Sequence, residues 1–285
     1  MIPIAKPQIG EEEINAVTEV LKSGMLAQGK KVKELEEQFA KYIGTKYAIA
    51  TSSGTTALHV ALLAHGIKPG DEVITSPFTF IASANSIVFC GAKPVFVDID
   101  ENTFNMDPKK IEEKITPQTK AIMPIHLFGQ ACDMNAILKI AEKHKLILIE
   151  DACQSHGAEY DGKKAGSFGT GCFSFYPTKN MTTGEGGMIT TNDEQVYNKA
   201  KLLREHGMPE RYKHILLGYN YRMTDIHAAI GIIQLQKLEK YIQMRKENAA
   251  FYNNHINIPG IILPKVLNNT RHVYNQFTLR VIDKF

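Results

Sequence analysis

Two stretches near the start of the chain have apolar residues at helical spacing. The first spans residues 11–22 and the second ends at Gly44. Their apolar positions are Ile14, Val17, Val20, Leu21, Val32, Leu35, Phe39 and Tyr42. Apolar side chains three or four residues apart form one face of an amphipathic helix, and a glycine ends each pattern. We therefore predict a helical N-terminal segment over residues 1–44 that covers part of a sheet.

From residue 47 onwards, short continuous apolar runs alternate with longer helical patterns. Apolar runs of this kind are typical of strands that are buried on both faces, as in a mainly parallel sheet flanked by helices. The predicted strands are 47–50, 72–75, 94–100, 120–126, 146–151, 169–175 and 187–191. One predicted helix follows the 51–56 turn, and the others cover 81–90, 107–115, 133–144 and 193–205. The pattern predicts an α/β fold with ligands at the carboxyl ends of the strands.

The last part of the chain has a different pattern. Thr224 or Asp225 is placed to cap a long helix that continues to about Asn254. After Pro259 the sequence predicts a polar turn and an alternating strand over 273–282. One or two strands cannot bury a core of their own. We therefore predict a large domain over residues 1–240 and, over 241–285, the start of a small C-terminal α/β domain that is incomplete.

Composition narrows the classes of function. The chain has 285 residues, 44% of them hydrophobic and 22% charged, and its net charge of +3 is too small to suggest nucleic-acid binding. Neither a signal peptide nor an apolar run of membrane-spanning length is present in the sequence. The four cysteines form no CxxC pair, and the histidines show no metal-binding spacing. We expect a cytoplasmic protein with reduced thiols, no membrane association and no metal.

One lysine stands in an unusual loop. Lys179 lies in the sequence FSFYPTKNMTTGEGGM, between an aromatic-rich strand and a run of Thr, Gly and Glu. Small residues let the backbone of such a loop pass close to a ligand. A lysine in that position indicates a residue that holds a cofactor, although a lone lysine is more often a surface charge.

An anion site is predicted in the turn 51–56, which reads TSSGTT and precedes an apolar helix. The first N–H groups of a helix have no partner within it, and the helix dipole favours a negative charge there. The turn is not a P-loop, because no Gly-Lys-Ser/Thr follows at the required spacing. Taken alone the signal is weak, since many helices begin with Ser or Thr.

The residues at the strand ends together match the requirements of pyridoxal phosphate (PLP). This cofactor needs a lysine for its aldehyde, a carboxylate for its ring nitrogen, an anion site for its phosphate and a flat apolar side chain over its ring. The chain offers Lys179, Asp151, the 51–56 turn with Ser174, and Phe80. Each has an ordinary structural explanation by itself, so the combination carries the prediction.

Several motifs in fixed order now show a family resemblance. They are SSGTTALHVAL, GDEVITSPFTFIASANSI, GAKPVFVDID, IEDACQSHGA, FSFYPTKNMTTGEGGMI, LLREHGM and LGYNYRMTDIHAAIG. From about Ile4 to Asn275 the chain resembles the nucleotide-sugar aminotransferases of the DegT/StrS type, which are PLP-dependent transferases of fold type I. Members of this family usually continue well beyond the position of Phe285, which is why we expect an incomplete small domain here.

The resemblance implies a role for each matching residue. Lys179 would form the Schiff base and carry protons, and Asp151 would bind the ring nitrogen. Gln154 would lie beside the 3-hydroxyl group, and Phe80 would stack on the ring. Gly54, Thr55 and Ser174 would hold the phosphate. Asn220 would reach the phosphate of a neighbouring subunit, which implies a homodimer. His206 and the loop 25–29 would lie near the sugar nucleotide.

The activity that this resemblance implies is a two-stage transamination. Glutamate would give its amino group to PLP to form pyridoxamine phosphate, and a 3-keto or 4-keto sugar nucleotide would then accept it. The products would be amino-sugar nucleotides for glycan or glycoside biosynthesis. Two alternatives stay open: a PLP- or pyridoxamine-phosphate-dependent sugar dehydratase, and a non-catalytic regulatory relative. The presence of Lys179 favours transamination over dehydration, because such dehydratases can have histidine in its place.

Overall fold

The computed structural model describes residue 3 and residues 5–282. Positions 1, 2, 4 and 283–285 lie outside the described residues. They include the first residues of the predicted large domain, the last residues of the predicted small domain, and Ile4, where the family resemblance begins. The α-helices are α1 (Glu11–Ser23), α2 (Lys30–Ile43), α3 (Gly54–Ala64), α4 (Ala82–Phe89), α5 (Met134–His144), α6 (Glu194–Arg204) and α7 (Asp225–His255). The strands are β1 (Tyr47–Thr51), β2 (Glu72–Thr75), β3 (Lys93–Phe96), β4 (Thr119–Ile122), β5 (Ile147–Asp151), β6 (Glu159–Tyr160), β7 (Lys163–Lys164), β8 (Thr170–Ser174), β9 (Gly187–Thr191), β10 (Ile261–Ile262), β11 (Thr270–Arg271) and β12 (Arg280–Val281).

A seven-stranded sheet forms the centre of the molecule, in the order β1-β9-β8-β5-β4-β2-β3. Strand β9 runs antiparallel to both of its neighbours, and the pairs β8–β5, β5–β4, β4–β2 and β2–β3 are parallel. This mainly parallel sheet with flanking helices confirms the predicted α/β fold. The parallel order also brings the carboxyl ends of β5, β8 and β2 to one edge.

Both faces of the sheet are covered, as the apolar strands predicted. Alternate residues of β1 show this directly, because Ala48 and Ala50 pack into one apolar cluster and Ile49 into another. Helices α2 and α7 contribute to the first cluster, and α3 and α6 contribute to the second. Helices α1 and α2, which lie in the predicted N-terminal segment, both pack against α7.

Asp225 joins the start of α7 to the start of α2. Its carboxylate accepts hydrogen bonds from the N–H groups of Gly29 at 2.8 Å and Val32 at 3.0 Å. These groups at the N-terminus of α2 have no acceptor within that helix, so Asp225 supplies a cap from a distant part of the sequence. The same contacts fix the end of the 25–29 loop.

The predicted helix 107–115 is wrong. Two short 3₁₀ turns, Pro108–Lys110 and Glu112–Lys114, occupy this stretch. Ile111 is fully buried, while the three residues after it are exposed. A single buried side chain gives too little apolar contact to hold a longer helix in place.

The predicted strand 273–282 is also wrong over most of its length, since only Arg280 and Val281 pair, with β10. The earlier part of this stretch makes its bonds to loops. The N–H of Val273 donates to the carbonyl oxygen of Gly129 at 2.8 Å, and the carbonyl oxygen of Val273 accepts from Asn180 at 3.3 Å. Alternation of apolar and polar residues predicted a strand, but tertiary contacts satisfy the backbone instead.

The division into residues 1–240 and 241–285 stays a prediction. Helix α7 passes through position 240 without a break. Beyond it, Arg245 donates from its Nη1 to the carbonyl oxygens of Tyr274 and Asn275, both at 3.1 Å. These bonds fix the 273–276 segment to the side of α7.

Neither a membrane-spanning helix nor a metal-binding cluster is present among the described residues. No helix among them is long and apolar enough to cross a membrane. In the same part of the chain, no three His, Cys, Asp or Glu side chains lie together in a way that would hold a metal ion.

Candidate active site

A cavity of about 540 Å³ lies at the carboxyl ends of β1, β5 and β8. Its walls come from the turn after β1, the segment that begins α4, the residues that follow β5, and the loop after β8. Open parallel sheets bind ligands at this edge, and the volume is in the range of a cofactor pocket.

The turn after β1 presents the N-terminus of α3 to the cavity. Ser53 caps this helix, because its Oγ accepts a hydrogen bond from the N–H of Thr56 at 3.2 Å. Thr56 Oγ1 in turn accepts from the N–H of Ser53 at 3.0 Å. Because this mutual capping occupies the polar groups of Ser53 and Thr56, the N–H groups of Gly54 and Thr55 are left to bind an anion.

Gly54 and Ser174 lie in close contact across this turn. A Cβ atom added to Gly54 would stand 2.6 Å from Cβ of Ser174 and 3.1 Å from Sγ of Cys153. Only glycine therefore allows the helix N-terminus to approach the end of β8. This approach brings the Ser174 hydroxyl next to the predicted anion site.

Asp151 is the last residue of β5 and is buried. Its Oδ2 accepts a hydrogen bond of 2.7 Å from Oγ of Ser83, and its Oδ1 accepts one of 3.2 Å from the N–H of Cys153. A carboxyl group at the end of a central strand faces the middle of the cavity, where a ring nitrogen would need a partner.

Lys179 is half-buried in the loop that joins β8 to β9. The base of this loop is closed by two backbone hydrogen bonds of Phe175, which donates to the carbonyl oxygen of Gly186 at 2.8 Å and accepts from Thr183 at 3.0 Å. The N–H of Lys179 donates to the carbonyl oxygen of Tyr176 at 2.9 Å. The backbone around the lysine is thus fixed while its side chain lines the cavity.

Phe80 and Gln154 line the cavity from two other elements. The Phe80 side chain is 68% exposed, so its ring is free to lie against a ligand. Gln154 Oε1 accepts a hydrogen bond of 3.0 Å from the N–H of Phe128. That bond occupies the amide oxygen and leaves the NH₂ group of Gln154 to donate to a ligand.

The structure brings most of the sequence-predicted site residues together. The residues that line the one cavity are Gly54, Thr55, Phe80, Asp151, Gln154, Ser174 and Lys179. Asn220 does not line it: this residue is exposed and forms a backbone bridge with Glu205. His206 and the loop 25–29 are likewise absent from the cavity wall. The roles predicted for all these residues stay predictions.

Several residues of the cavity wall were missed by the sequence analysis, among them Ser83, Glu185 and Gln276. A serine within the apolar stretch ASANSIVF looks like any other small helix residue, so no pattern pointed to Ser83. Glu185 was visible in the lysine loop, and its position there was the only available signal. Gln276 reaches the cavity from the segment that was predicted as a strand.

Cys153 is another wall residue, and its chemistry is limited by its surroundings. Burial and the nearby negative charge of Asp151 raise the pKa of the Cys153 thiol well above its ordinary value. The thiol therefore stays protonated and is a poor nucleophile.

The donor set of this cavity fits PLP. An amine, a buried carboxylate, a helix N-terminus with an adjacent hydroxyl, and the exposed aromatic ring of Phe80 lie around a single space of about 540 Å³. The close approach of Gly54 to Ser174 forms a narrow cradle at the end where a phosphate would bind. Fold and site together define a PLP-dependent aminotransferase of fold type I.

Comparison with known proteins gives the family. The DegT/DnrJ/EryC1/StrS aminotransferase family matches residues 7–285. The chain belongs to this family, and it is a PLP-dependent sugar aminotransferase, as the resemblance in the sequence predicted.

Relatives of known name are similar over almost the whole chain. GDP-perosamine synthase of Caulobacter vibrioides is 48% identical over 286 residues, which are 98% of this chain and 77% of that protein. The spore coat polysaccharide biosynthesis protein SpsC of Bacillus subtilis is 46% identical over 297 residues, or 99% of this chain and 76% of that protein. Among solved structures, S. venezuelae DesV in complex with a ketimine intermediate superposes with a TM-score of 0.92 at 38% identity, covering 95% of this chain and 74% of DesV.

Proposed function

We propose that this enzyme transfers an amino group from glutamate to a 3-keto or 4-keto sugar linked to a nucleotide. The observation that carries the proposal is the placement of Lys179, Asp151 and the α3 N-terminus around one cavity. The named relative GDP-perosamine synthase, at 48% identity, supports a nucleotide-linked sugar as the acceptor. The product would be an amino-sugar nucleotide for glycan or glycoside biosynthesis.

The side chains at the cavity would hold the cofactor at four points. The N–H groups of Gly54 and Thr55 and the hydroxyl of Ser174 would bind its phosphate. Asp151 would keep a proton on the ring nitrogen, Gln154 would donate to the 3-hydroxyl group, and Phe80 would cover one face of the ring. When bound, PLP supplies the aldehyde that takes the amino group and the ring that accepts electrons from the reacting carbon.

Lys179 would carry the proton. Its Nζ would remove the proton from the alpha carbon of the amino donor and deliver it to the carbon of the cofactor that carries the aldehyde, acting first as a base and then as an acid. The fixed backbone of its loop, with the hydrogen bond from Lys179 N–H to Tyr176, limits the movement to the side chain. Such positioning is what an efficient proton transfer needs.

We further propose a homodimer in which Asn220 reaches the phosphate in the neighbouring subunit. Exposed apolar side chains at the start of α4, on α4 itself and on the 208–220 loop support an interface here, namely Ile81, Val88, Phe89, Ile215 and Leu217. Asn220 itself is exposed at the end of the same loop. Because the cysteines of the described chain are all free thiols, we place the enzyme in the cytoplasm.

The near-visible absorbance of the PLP-loaded protein tests the proposed function. We expect a band that requires Lys179, that disappears in Lys179→Ala, and that is unchanged in Lys41→Ala, an exposed lysine of α2. Glutamate should convert the band to that of the pyridoxamine form, and a keto-sugar nucleotide should restore it. A band that is equal in Lys179→Ala would contradict the proposal. Conversion by glutamate without recovery on any 3-keto or 4-keto sugar nucleotide would contradict the proposed acceptor.

A further inference from the structure

Ser83 is a buried wall residue of the cavity that has no role in the proposed function so far. It lies in the first turn of α4, and only 1% of its surface is exposed. Its Oγ is 2.7 Å from Oδ2 of Asp151 and 2.9 Å from Oγ1 of Thr79. Thr79 and Ser83 both line the cavity beside Phe80.

The direction of these hydrogen bonds follows from the number of protons. A carboxylate oxygen can only accept, so the single hydroxyl proton of Ser83 is the one in the 2.7 Å bond to Asp151. A competing acceptor, the carbonyl oxygen of Phe80, lies farther from Ser83 Oγ, at 3.3 Å. With its proton committed, Ser83 Oγ must accept from Thr79. The chain of donors therefore runs from Thr79 to Ser83 to Asp151.

The carboxylate of Asp151 is held by two different elements. Ser83 on α4 donates to Oδ2, and the N–H of Cys153 on the segment after β5 donates to Oδ1 at 3.2 Å. One donor on each oxygen fixes the rotation of the carboxylate plane, and each oxygen keeps a lone pair for a further donor. The bond to Ser83 is the shorter of the two, and hydrogen bonds to a carboxylate are among the stronger ones in proteins.

We propose that Ser83 is a positioning residue that aims the Asp151 carboxylate at the ring nitrogen of the cofactor, with Thr79 fixing the direction of the Ser83 hydroxyl. This inference rests on the role proposed above for Asp151. Residues 79–83 then have two effects on the ring, since Phe80 covers its face while Thr79 and Ser83 hold the group that binds its nitrogen. The segment that begins α4 thereby fixes the ring laterally as well as from above.

Removal of the Ser83 hydroxyl should weaken the hold of Asp151 on the ring nitrogen. The experiment uses protein loaded with ¹⁵N-labelled PLP and records two quantities, the ¹⁵N signal of the ring nitrogen as a function of pH and the dissociation constant of the cofactor. In Ser83→Ala we expect the nitrogen to lose its proton at a lower pH than in the wild type. We also expect the dissociation constant to rise about tenfold, the size typical of one lost bond to a charged group.

Matched variants separate positioning from packing. Ser86→Ala removes an equally buried hydroxyl from the same helix, one whose bond goes to the carbonyl oxygen of Ser83, and should leave both quantities unchanged. Ser83→Thr and Ser83→Val have nearly the same shape and differ in the hydroxyl, so Thr should retain the wild-type signal and Val should lose it. This pair keeps the test decisive if Ser83→Ala folds poorly.

Asp151→Asn serves as the reference for the role on which the inference depends. If it shifts the ¹⁵N signal while Ser83→Ala and Ser83→Val match the wild type in both quantities, the inference about Ser83 is overturned and the role of Asp151 stands. If Asp151→Asn also matches the wild type, the proposed role of Asp151 is wrong, and the inference about Ser83 fails with it.

Discussion

The N–H of Phe128 donates a hydrogen bond of 3.0 Å to Oε1 of Gln154, and this bond joins the cavity wall to a turn with an unusual backbone. Phe128 and Gly129 have φ angles of 57° and 101°. On its other side the turn binds the 273–276 segment, through Val273 N–H to Gly129 oxygen at 2.8 Å and Gln276 N–H to Phe128 oxygen at 3.2 Å. One turn therefore positions both Gln154 and Gln276 at the cavity.

Gly129→Ala should disrupt this turn. A Cβ atom at Gly129 would stand 2.7 Å from the backbone nitrogen of Asn275 and 2.9 Å from that of Tyr274, and backbone atoms cannot move aside easily. Strain at a positive φ adds to this contact. We expect the free energy of unfolding, measured with urea, to fall by about 3 kcal/mol.

Gly66→Ala is the matched control for that prediction. Gly66 has a φ of 82°, and no atom lies within 4 Å of a Cβ added there, so this variant has the backbone strain without the collision. It should lose only about 1 kcal/mol. Equal losses in the two variants would show that the contact with the 273–276 segment contributes nothing.

Gly54→Ala should weaken cofactor binding with a smaller effect on the fold. The added Cβ would stand 2.6 Å from Cβ of Ser174, which must push the α3 N-terminus away from the end of β8. Because the α3 N-terminus and the Ser174 hydroxyl would bind the same phosphate, we expect the dissociation constant of PLP, from absorbance titration, to rise by about tenfold or more. In Gly10→Ala the nearest atom to the new Cβ is 3.7 Å away, so PLP affinity should be unchanged. Wild-type affinity in Gly54→Ala would contradict the phosphate site.

These contacts show which parts of the site could be predicted from the sequence. Asp151 is the last residue of an apolar strand and Lys179 lies in the loop after another, so local pattern and the geometry of a parallel sheet were enough to place them at one edge. The bond between Ser83 and Asp151 joins residues 68 positions apart. The sequence around Ser83 and the sequence around Asp151 would be the same whether or not the two side chains were in contact. Periodicity and spacing therefore contain no signal for this bond.

The position of Gln276 was hidden for a different reason. Its segment alternates apolar and polar residues as a strand does, and that pattern is the same whether the backbone pairs with a strand or with loops. Here the partners are Gly129, Asn180 and Arg245, which lie in three separate parts of the chain. Tertiary contacts decided the structure, and a pattern read over ten residues cannot include them.

The proposed sharing of Asn220 between subunits predicts complementation. Lys179→Ala should abolish the glutamate half-reaction, and Asn220→Asp should impair it because a carboxylate would face the phosphate. In a mixed dimer the Asn220→Asp subunit keeps its own Lys179 and receives Asn220 from its partner, so one site is intact. An equal mixture, exchanged by joint refolding, should regain about one quarter of the wild-type rate, since about half of the dimers are mixed and each has one intact site of two.

The control for complementation uses two residues of one site. Asp151 and Lys179 line the same cavity of a single chain, so a mixture of Asp151→Asn and Lys179→Ala should regain nothing. Recovery in this control would show that subunit exchange does not explain the result. No recovery in the Asn220 mixture, with both single variants well folded, would place Asn220 outside the neighbouring site.

His156 should make the stability of the protein depend on pH. The ring is fully buried against Phe173 and Phe175, at centroid distances of 5.4 and 5.7 Å. Burial, together with the positive charge of Lys179, lowers the pKa of His156 to about 3. The pKa of an unfolded histidine is about 6.5, so between these values the unfolded chain binds a proton that the folded chain does not.

Stability from this residue is therefore fully present above pH of about 6.5 and is lost as the pH falls towards 3. At pH 5 the loss should be about 2 kcal/mol. His156→Leu removes the titrating group and should not lose this stability. The free energy of unfolding of His156→Leu minus that of the wild type, measured with urea, should therefore be about 2 kcal/mol larger at pH 5.0 than at pH 7.5. Any change in packing is common to both conditions and cancels in this comparison. Between pH 7.5 and 8.5 this difference between variant and wild type should stay constant, because the histidine is neutral in both the folded and the unfolded state there. If the difference were also constant down to pH 5.0, that result would contradict the assignment of a buried, neutral His156.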